Sequence, residues 1–388
     1  MENKDSAIKL LSLAGIEIGG DNPWDIKVNN DDFYSRVMVW GSLGLGESYM
    51  DGWWDCDQLD EFFYRILVTD IENQVKHNWV LLANAMRARV FNLQSKKKAF
   101  HIGEQHYDIG NDLFIHMLDK RMTYSCGYWQ DASSLDEAQE HKLDLICRKM
   151  RLQSGMKILD VGCGWGSLVK YAAEKYHVEV VGVTVSREQV ELAQTLCKGL
   201  PVEIRLQDYR DVIDKFDRIV SVGMIEHVGY KNYRTFMEVM HRCLKDGGLF
   251  LLHTIGSNQS RTSVDPWINR YIFPNGMLPS IKQLGDSIEG LLVMEDWHSF
   301  GADYDKTLMA WYRKFENSWD ILKSNYGERF HRMWRYYLLS CAGSFRARKN
   351  QLWQVVLSKE GVPRGYQSFP RIREDMRPLP PHQPLQAS

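Results

Sequence analysis

No stretch of the chain approaches the roughly 20 consecutive apolar residues that a helix needs to cross a bilayer, so any membrane contact is expected to be peripheral. The opening MENKDSAIKLLSLAG carries acidic residues early, and its apolar run is too short and interrupted for a signal peptide. Paired cysteines are also missing. The seven (Cys56, Cys126, Cys147, Cys163, Cys197, Cys243 and Cys341) are scattered, odd in number and nowhere spaced Cys-x-x-Cys. That argues against a disulfide framework or a structural zinc site and fits reduced thiols in the cytoplasm. No His-Glu-x-x-His is present either, so no metal is expected. An excess of one charge is lacking too: 48 Lys and Arg against 50 Asp and Glu leave a formal net charge of -2. A dedicated nucleic-acid binder needs broad phosphate neutralisation, which this balance does not offer.

What the chain does have is length and aromatic rings. Its 388 residues exceed the usual size of a single core, so two domains are expected. With 44% apolar and 25% charged residues it reads as an ordinary globular protein. Aromatics reach 12%, with 13 tryptophans, which implies large buried contacts or an apolar ligand.

Residues 1–100 read as a mainly helical N-terminal domain with turn-rich interruptions. Within it, GSLGLGESYMDGWW (Gly41–Trp54) packs glycines around Leu43 and Leu45 and reads as a loop or compact turn. Trp79–Lys98 begins apolar and ends with Arg87, Arg89, Lys96, Lys97 and Lys98. Such a helix usually just solvates its basic end. The sharper reading is a surface for anionic headgroups, each basic group contributing about 1 kcal/mol near such a membrane.

From Lys157 to His253 the pattern changes. KILDV, VEVVGV, VEIRL, FDRIVSV and GLFLLHT are short Val/Ile/Leu-rich runs separated by helical segments such as SLVKYAAEKY and SREQVELAQTLC. That alternation predicts a parallel sheet covered by helices on both faces, an α/β fold. A catalytic domain is expected over 101–365. An insertion at about 257–290, punctuated by Pro and Gly, is too long for a plain connector and reads as a lid or substrate wall. Leu308, Trp311, Phe315 and Trp319 share one helical face, and Phe330, Trp334, Tyr337, Cys341 and Phe345 another, both expected to be core. Trp353–Leu357 reads as a last strand, and 366–388 as a Pro-rich disordered tail.

In KILDVGCGWGSL (Lys157–Leu168) a buried strand runs into Gly162-Cys163-Gly164-Trp165-Gly166 and then a helix. Glycines let the backbone turn sharply and approach a ligand, and the helix start offers unpaired N–H groups. Asp160 at the strand end and the spacing LDVGCGWG depart from the Gly-x-Gly-x-x-Gly of a dinucleotide site. They resemble motif I of the class I S-adenosylmethionine methyltransferases, which implies a Rossmann-like, mainly parallel seven-stranded sheet. LQDYRD (Leu206–Asp211) follows the third strand where that class reads adenine. Where many members place a carboxylate for the ribose hydroxyls, this chain has Thr184 and Gln189, neutral groups that still hydrogen-bond a diol.

Further phrases narrow the resemblance. HYDIGNDLF (His106–Phe114), TYSCGYW (Thr123–Trp129), VGVTVSREQ (Val181–Gln189), VGMIEHVG (Val222–Gly229), LLHTIG (Leu251–Gly256) and FGADYDKTLMAWYRKF (Phe300–Phe315), in this order, resemble the cyclopropane fatty acid synthases and their mycolic acid relatives. GSLGLGESYMDGWW extends the likeness into an N-terminal domain of the phospholipid-acting type. The resemblance covers nearly the whole chain. It implies transfer of a methylene group from S-adenosyl-L-methionine to the cis double bond of an unsaturated phospholipid acyl chain. Methyl transfer leaves a carbocation, and loss of a proton to a bound bicarbonate closes the ring.

By the same resemblance the bicarbonate ligands are Cys126, Glu226, His253 and Tyr304, with the backbone at Ile255. The cofactor residues are Tyr124, Ser125, Gly162, Gly164, Thr184, Gln189, Gln207 and Asp208, with Tyr107 shaping the pocket. Taken singly, Cys126 would pass for a small buried apolar group and His253 for a satisfied core histidine. Glu226 and His253 gain weight because they fall near the C-terminal ends of the fourth and fifth strands, the edge where open parallel sheets bind ligands. A homodimer, peripheral contact with the inner membrane face and a cytoplasmic location are further family expectations. The alternative is a sibling lipid C-methyltransferase that leaves a methyl or methylene branch.

Overall fold

The computed structural model describes residues 2–69 and 110–368. The basic segment Trp79–Lys98, Tyr107 and the Pro-rich stretch from Met376 lie outside the described residues.

Helix α1 (Glu2–Leu13) is followed by a two-residue strand β1 (Lys27–Val28), helix α2 (Asp32–Met50), strand β2 (Trp54–Asp55) and helix α3 (Leu59–Val68). β1 and β2 pair antiparallel. Here the structure corrects the sequence reading: Gly41–Met50 is helical, the second part of α2, and only Gly41 breaks the spiral (φ 56°, ψ -131°). Gly44 and Gly46 serve close packing, while Gly52 (φ +73°) makes the expected turn into β2. A Cβ on Gly46 would lie 2.3 Å from Cδ1 of Trp267, so only a bare backbone lets the indole lie against the helix.

The α/β part opens with α4 (Asn111–Met117) and α5 (Leu135–Lys149). Ser134 caps α5 by accepting from the Glu137 N–H, with Asp136 and Glu137 in its first turn and Arg148 and Lys149 in its last, as the helix dipole favours. Strands β3 (Lys157–Val161), β4 (Glu179–Thr184), β5 (Val202–Leu206), β6 (Phe216–Val222) and β7 (Leu244–Ser257) alternate with α6 (Ser167–Tyr176), α7 (Arg187–Leu196) and α8 (Tyr233–Cys243). The insertion holds α9 (Pro266–Tyr271) and α10 (Ile281–Ile288). Strand β8 (Val293–Ser299), helices α11 (Ala302–Asn317), α12 (Trp319–Leu322) and α13 (Glu328–Arg346), and strand β9 (Asn350–Ser358) follow.

The seven strands run in the order β5-β4-β3-β6-β7-β9-β8. β3 to β7 are parallel, as the alternating pattern predicts, and β9 inserts antiparallel between β7 and the edge strand β8. Strand order reverses between β3 and β6, and that switch point opens a crevice at the carboxyl edge of the sheet. β8 escaped the sequence reading because VMEDWHS holds Glu295, Asp296 and His298 and has no apolar run, which an edge strand can accept.

One sheet face packs Leu159, Ile219, Phe250 and Leu252 under α8 and α10, and the other packs Ile158, Val180 and Leu251 under α5 and α6. A third, aromatic core joins the N-terminal helices to α4, α9, α11 and α13, and Trp54, Trp267, Trp311 and Trp334 are its largest fully buried side chains. Each such ring contributes roughly 1.5–3 kcal/mol by leaving water. The helical faces expected to be core are so: Leu308, Trp311, Phe315, Trp334, Tyr337 and Phe345 are buried, and Trp319, Phe330 and Cys341 half-buried. Among the described residues no helix is long and apolar enough to cross a membrane.

Candidate active site

The glycine turn after β3 forms the floor of a cavity of about 200 Å³ at the switch point. Gly162 has φ +84°, and a Cβ there would meet Cγ of Met224 at 2.8 Å, so the close approach of the two loops requires glycine. Gly162 and Gly164 line the cavity, as do Thr184 and Gln189 from the end of β4 and Gln207 and Asp208 from the end of β5. Tyr124 and Ser125 close it from the loop before α5. All eight residues assigned to the cofactor from sequence thus line one space.

Within it, Thr184 Oγ1 donates to Gln189 Oε1 at 2.7 Å, which fixes the Gln189 amide and leaves its nitrogen as a donor. Asp208 is clamped by Arg210, whose Nε and Nη2 donate at 2.8 and 2.7 Å. Asp160 also lines the cavity, and its Oδ1 has no hydrogen-bond partner among the described residues.

The loop carrying Tyr124, Ser125 and Cys126 is held from two sides. From α5, Gln139 Nε2 donates to the Ser125 carbonyl at 2.7 Å, and Lys142 Nζ to Ser125 Oγ at 2.8 Å. From α11, Thr307 Oγ1 accepts from the Gly127 N–H at 3.1 Å and from Trp129 Nε1 at 2.9 Å. The Cys126 Sγ lies 3.7 Å from the same hydroxyl. Tyr124 shares a 2.9 Å hydrogen bond with the Tyr337 hydroxyl and faces Trp311 at 5.2 Å between ring centroids.

The five residues assigned to anion chemistry lie beside this cavity, in its wall, and not among its lining residues. Glu226 sits in a short 3-10 turn (Ile225–His227) just past β6, between the lining residues Met224 and His227. Its Oε1 accepts from the Ile255 N–H at 2.7 Å, while Oε2 is buried with no partner among the described residues. Burial pushes the Glu226 carboxyl up to about 7, against the pull of the Ile255 N–H, its own backbone N–H and the Thr254 hydroxyl.

His253, on β7 beside Val222 of β6, is 1% exposed. Its Nδ1 meets Gln354 Nε2 at 3.3 Å, an arrangement that leaves the ring proton on Nε2. That Nε2 is again buried and unpartnered among the described residues. Burial, with the charges of Lys142 and Lys149, holds the imidazole neutral, well below its ordinary range. Tyr304, in the first turn of α11, stacks on Phe345 at 4.4 Å. Its electrostatic neighbours are Cys126, Tyr124 and Glu226, and burial raises both its hydroxyl and the Cys126 thiol well above their usual values. The four side chains are therefore buried beside aromatic rings, as neutral donors and one carboxyl of raised proton affinity.

Sequence reasoning missed Lys142, Thr307 and Gln354. Lys142 had a legible signal: with Leu135, Ala138, Gln139 and Ile146 it falls on the buried stripe of α5, where a lysine is out of place. Thr307 and Gln354 carry no comparable signal, because their partners lie far away in the chain.

The sequence model of the family described as mycolic acid cyclopropane synthetase matches residues 94–355. The cyclopropane-fatty-acyl-phospholipid synthase of Escherichia coli (strain K12) is 59% identical over 359 residues, which is 92% of this chain and 94% of that protein. This chain belongs to the mycolic acid cyclopropane synthetase family. Another relative, a probable fatty acid methyltransferase of Pseudomonas putida, is 37% identical over 284 residues, 70% of this chain and 72% of its own. Among solved structures, the mycolic acid cyclopropane synthase CmaA1 complexed with SAH and CTAB aligns with a TM-score of 0.63 at 33% identity, covering 67% of this chain and 98% of that one. Membership makes this chain an enzyme with the class I S-adenosylmethionine methyltransferase fold, and the observed sheet is the one that fold requires.

Proposed function

We propose that this enzyme transfers a methylene group from S-adenosyl-L-methionine to the cis double bond of unsaturated phospholipid acyl chains, forming a cyclopropane ring, with a bound bicarbonate as base. The observation that carries the reading is the pair of orphaned buried atoms at neighbouring strand ends, Glu226 Oε2 and His253 Nε2. A buried polar group without a partner costs free energy unless a ligand supplies one. A small anion carrying a hydroxyl has the chemistry both lack, able to accept from His253 and to donate to Glu226.

S-adenosylmethionine fits the adjoining cavity, where Asp160 Oδ1 lacks a partner among the described residues and suits its ammonium, and Thr184 and Gln189 suit its diol. When bound it supplies an electrophilic methyl group, and bicarbonate supplies a base. The chain's own residues do the rest. Tyr124 lines the cavity and packs on Trp311, which meets Tyr304 stacked on Phe345, so an aromatic cluster backs the site on this side. The Ile255 N–H orients the Glu226 carboxyl, whose raised proton affinity lets it hold a proton near neutrality. His253 stays neutral and donates from Nε2, while Cys126 stays a thiol.

The residues before about 100 are assigned to lipid capture or dimer formation, with the enzyme acting as a homodimer at the cytoplasmic face of the membrane. Incubation of the protein with S-adenosylmethionine and vesicles of unsaturated phospholipid tests the central reading. Mass spectrometry should show a gain of one CH2 with the double bond consumed, and NMR the high-field protons of a cyclopropane. Vinyl or methylene protons in place of ring protons would favour the second reading, a lipid C-methyltransferase, to which the Pseudomonas putida relative points. Unchanged lipid would refute both.

A further inference from the structure

On one face of β9 the side chains run Leu352, Gln354, Val356, all buried. An amide set between two apolar neighbours costs free energy unless its hydrogen bonds are met. The register places a histidine directly opposite Gln354 on either side, His253 of β7 and His298 of β8. Opposed residues of antiparallel strands hold their Cβ atoms about 4.5–5.5 Å apart, so the three side chains form one polar row across the sheet. The Phe300 ring meets both imidazoles, 5.8 Å from His253 and 5.0 Å from His298 between centroids. Beside His298 lie Lys149 and Asp296, paired at 3.3 Å. Burial and the Lys149 ammonium keep His298 neutral, lowering it to about 4 against the pull of Asp296. The two ends of the Gln354 amide differ in their partners. Nε2 meets His253 Nδ1 at 3.3 Å, while Oε1 is buried with no hydrogen-bond partner among the described residues. His298 Nδ1 is buried and unpartnered in the same way. A leftover carbonyl and a leftover imidazole nitrogen on opposed residues complement each other, directly or through one water, once the imidazole proton sits on Nδ1.

We propose that His298 and Gln354 are positioning residues for His253: the His298 Nδ1–H donates to the Gln354 carbonyl, the Gln354 amide donates to His253 Nδ1, and the His253 proton is thereby kept on Nε2. The inference rests on the reading of His253 as a donor to a bound anion and deepens it by naming what fixes that donor. Every link runs in one direction, so each hydrogen bond polarises the next toward the anion. Reversing the amide would set its carbonyl on His253 Nδ1, draw the ring proton there and leave Nε2 a bare lone pair facing a negative charge. Neither His298 nor Gln354 touches the reactants in this scheme; both act through His253.

Nitrogen NMR of the resting full-length protein, isotope-labelled in its histidine rings and assigned through the signals lost in His253→Gln, reads the His253 tautomer. The wild-type ring should carry its proton on Nε2 and leave Nδ1 bare. A ring protonated on Nδ1 overturns the inference, and needs no further variant to fold. Turnover on unsaturated phospholipid vesicles, in degassed buffer with bicarbonate added back, gives the second readout. His298→Phe keeps a ring against Phe300 but leaves the Gln354 carbonyl without a donor. KM for bicarbonate should then rise about 10-fold, with part of His253 protonated on Nδ1 and S-adenosylhomocysteine affinity within about threefold of wild type. His298→Asn, whose amide nitrogen falls where Nδ1 lies, should bring that KM back to within about threefold of wild type. An unchanged bicarbonate KM in His298→Phe overturns the inference. So does a His298→Asn protein as impaired as His298→Phe, since a residue that merely fills space would behave so. Wild-type turnover that is indifferent to bicarbonate is instead the failure of the base reading, and the His253 tautomer then still decides for or against the row.

Discussion

Replacing Glu226 by Gln separates the carboxyl's chemistry from its packing. The amide oxygen can keep the 2.7 Å hydrogen bond from Ile255, so the turn after β6 should persist. The other atom changes from an orphaned acceptor to an NH2 donor, which cannot accept a proton from a bound hydroxyl. Turnover should fall by about 100-fold or more, the usual contribution of a positioned acid–base group, while S-adenosylhomocysteine affinity stays within about threefold. Stability should move the other way. The carboxyl rises from its ordinary 4.5 to about 7 on folding, so between those pH values the native state holds the proton more tightly than the unfolded chain. The stability this contributes is fully present below about pH 4.5 and is lost as pH rises through 7, a loss of about 3 kcal/mol. The amide does not titrate. Urea unfolding of both proteins at pH 5 and pH 8 should therefore show Glu226→Gln gaining on wild type by about 3 kcal/mol between the two. A difference that is flat with pH refutes the buried, protonatable carboxyl, and near-normal turnover refutes its role.

The loop that carries Tyr124, Ser125 and Cys126 should depend on Thr307. In Thr307→Val the Gly127 N–H and Trp129 Nε1 lose their acceptor, so stability should drop by about 1–3 kcal/mol. Thr307→Ser should restore most of it in thermal unfolding. Gly46→Ala places a methyl 2.3 Å from Trp267, which should cost about 1–3 kcal/mol and shift the tryptophan fluorescence as α2 and α9 separate. Removing bicarbonate from degassed buffers should suppress turnover on vesicles, and adding it back should restore activity without changing S-adenosylhomocysteine binding. Activity that is indifferent to bicarbonate would refute the anion as base.

Much of the α/β framework was legible because its signals are local. Parallel strands buried on both faces read as short runs of Val, Ile and Leu, so β3 to β7 could be marked from the chain alone. The glycine turn after β3 is likewise a backbone requirement written in consecutive residues. Gly41–Met50 misled the reading because a glycine that admits a neighbouring ring looks the same, in sequence, as a glycine that turns the chain. Only the position of Trp267 tells the two apart. β8 stayed hidden because an edge strand need bury only part of one face.

From the sequence by itself came the fold class, the strand ends that carry Glu226 and His253, and the set of residues that turns out to line one cavity, since each depends on neighbours in the chain or on motif order. Tertiary structure alone decided the remainder. Among the described residues it brought Cys126 to Thr307 of a distant helix, left Glu226 Oε2 and His253 Nε2 unpartnered at neighbouring strand ends, and buried Lys142 against Ser125 without an ion pair. The physical reason is that desolvation and unmet hydrogen bonds belong to a place in space, and no residue carries them until the chain has folded around it.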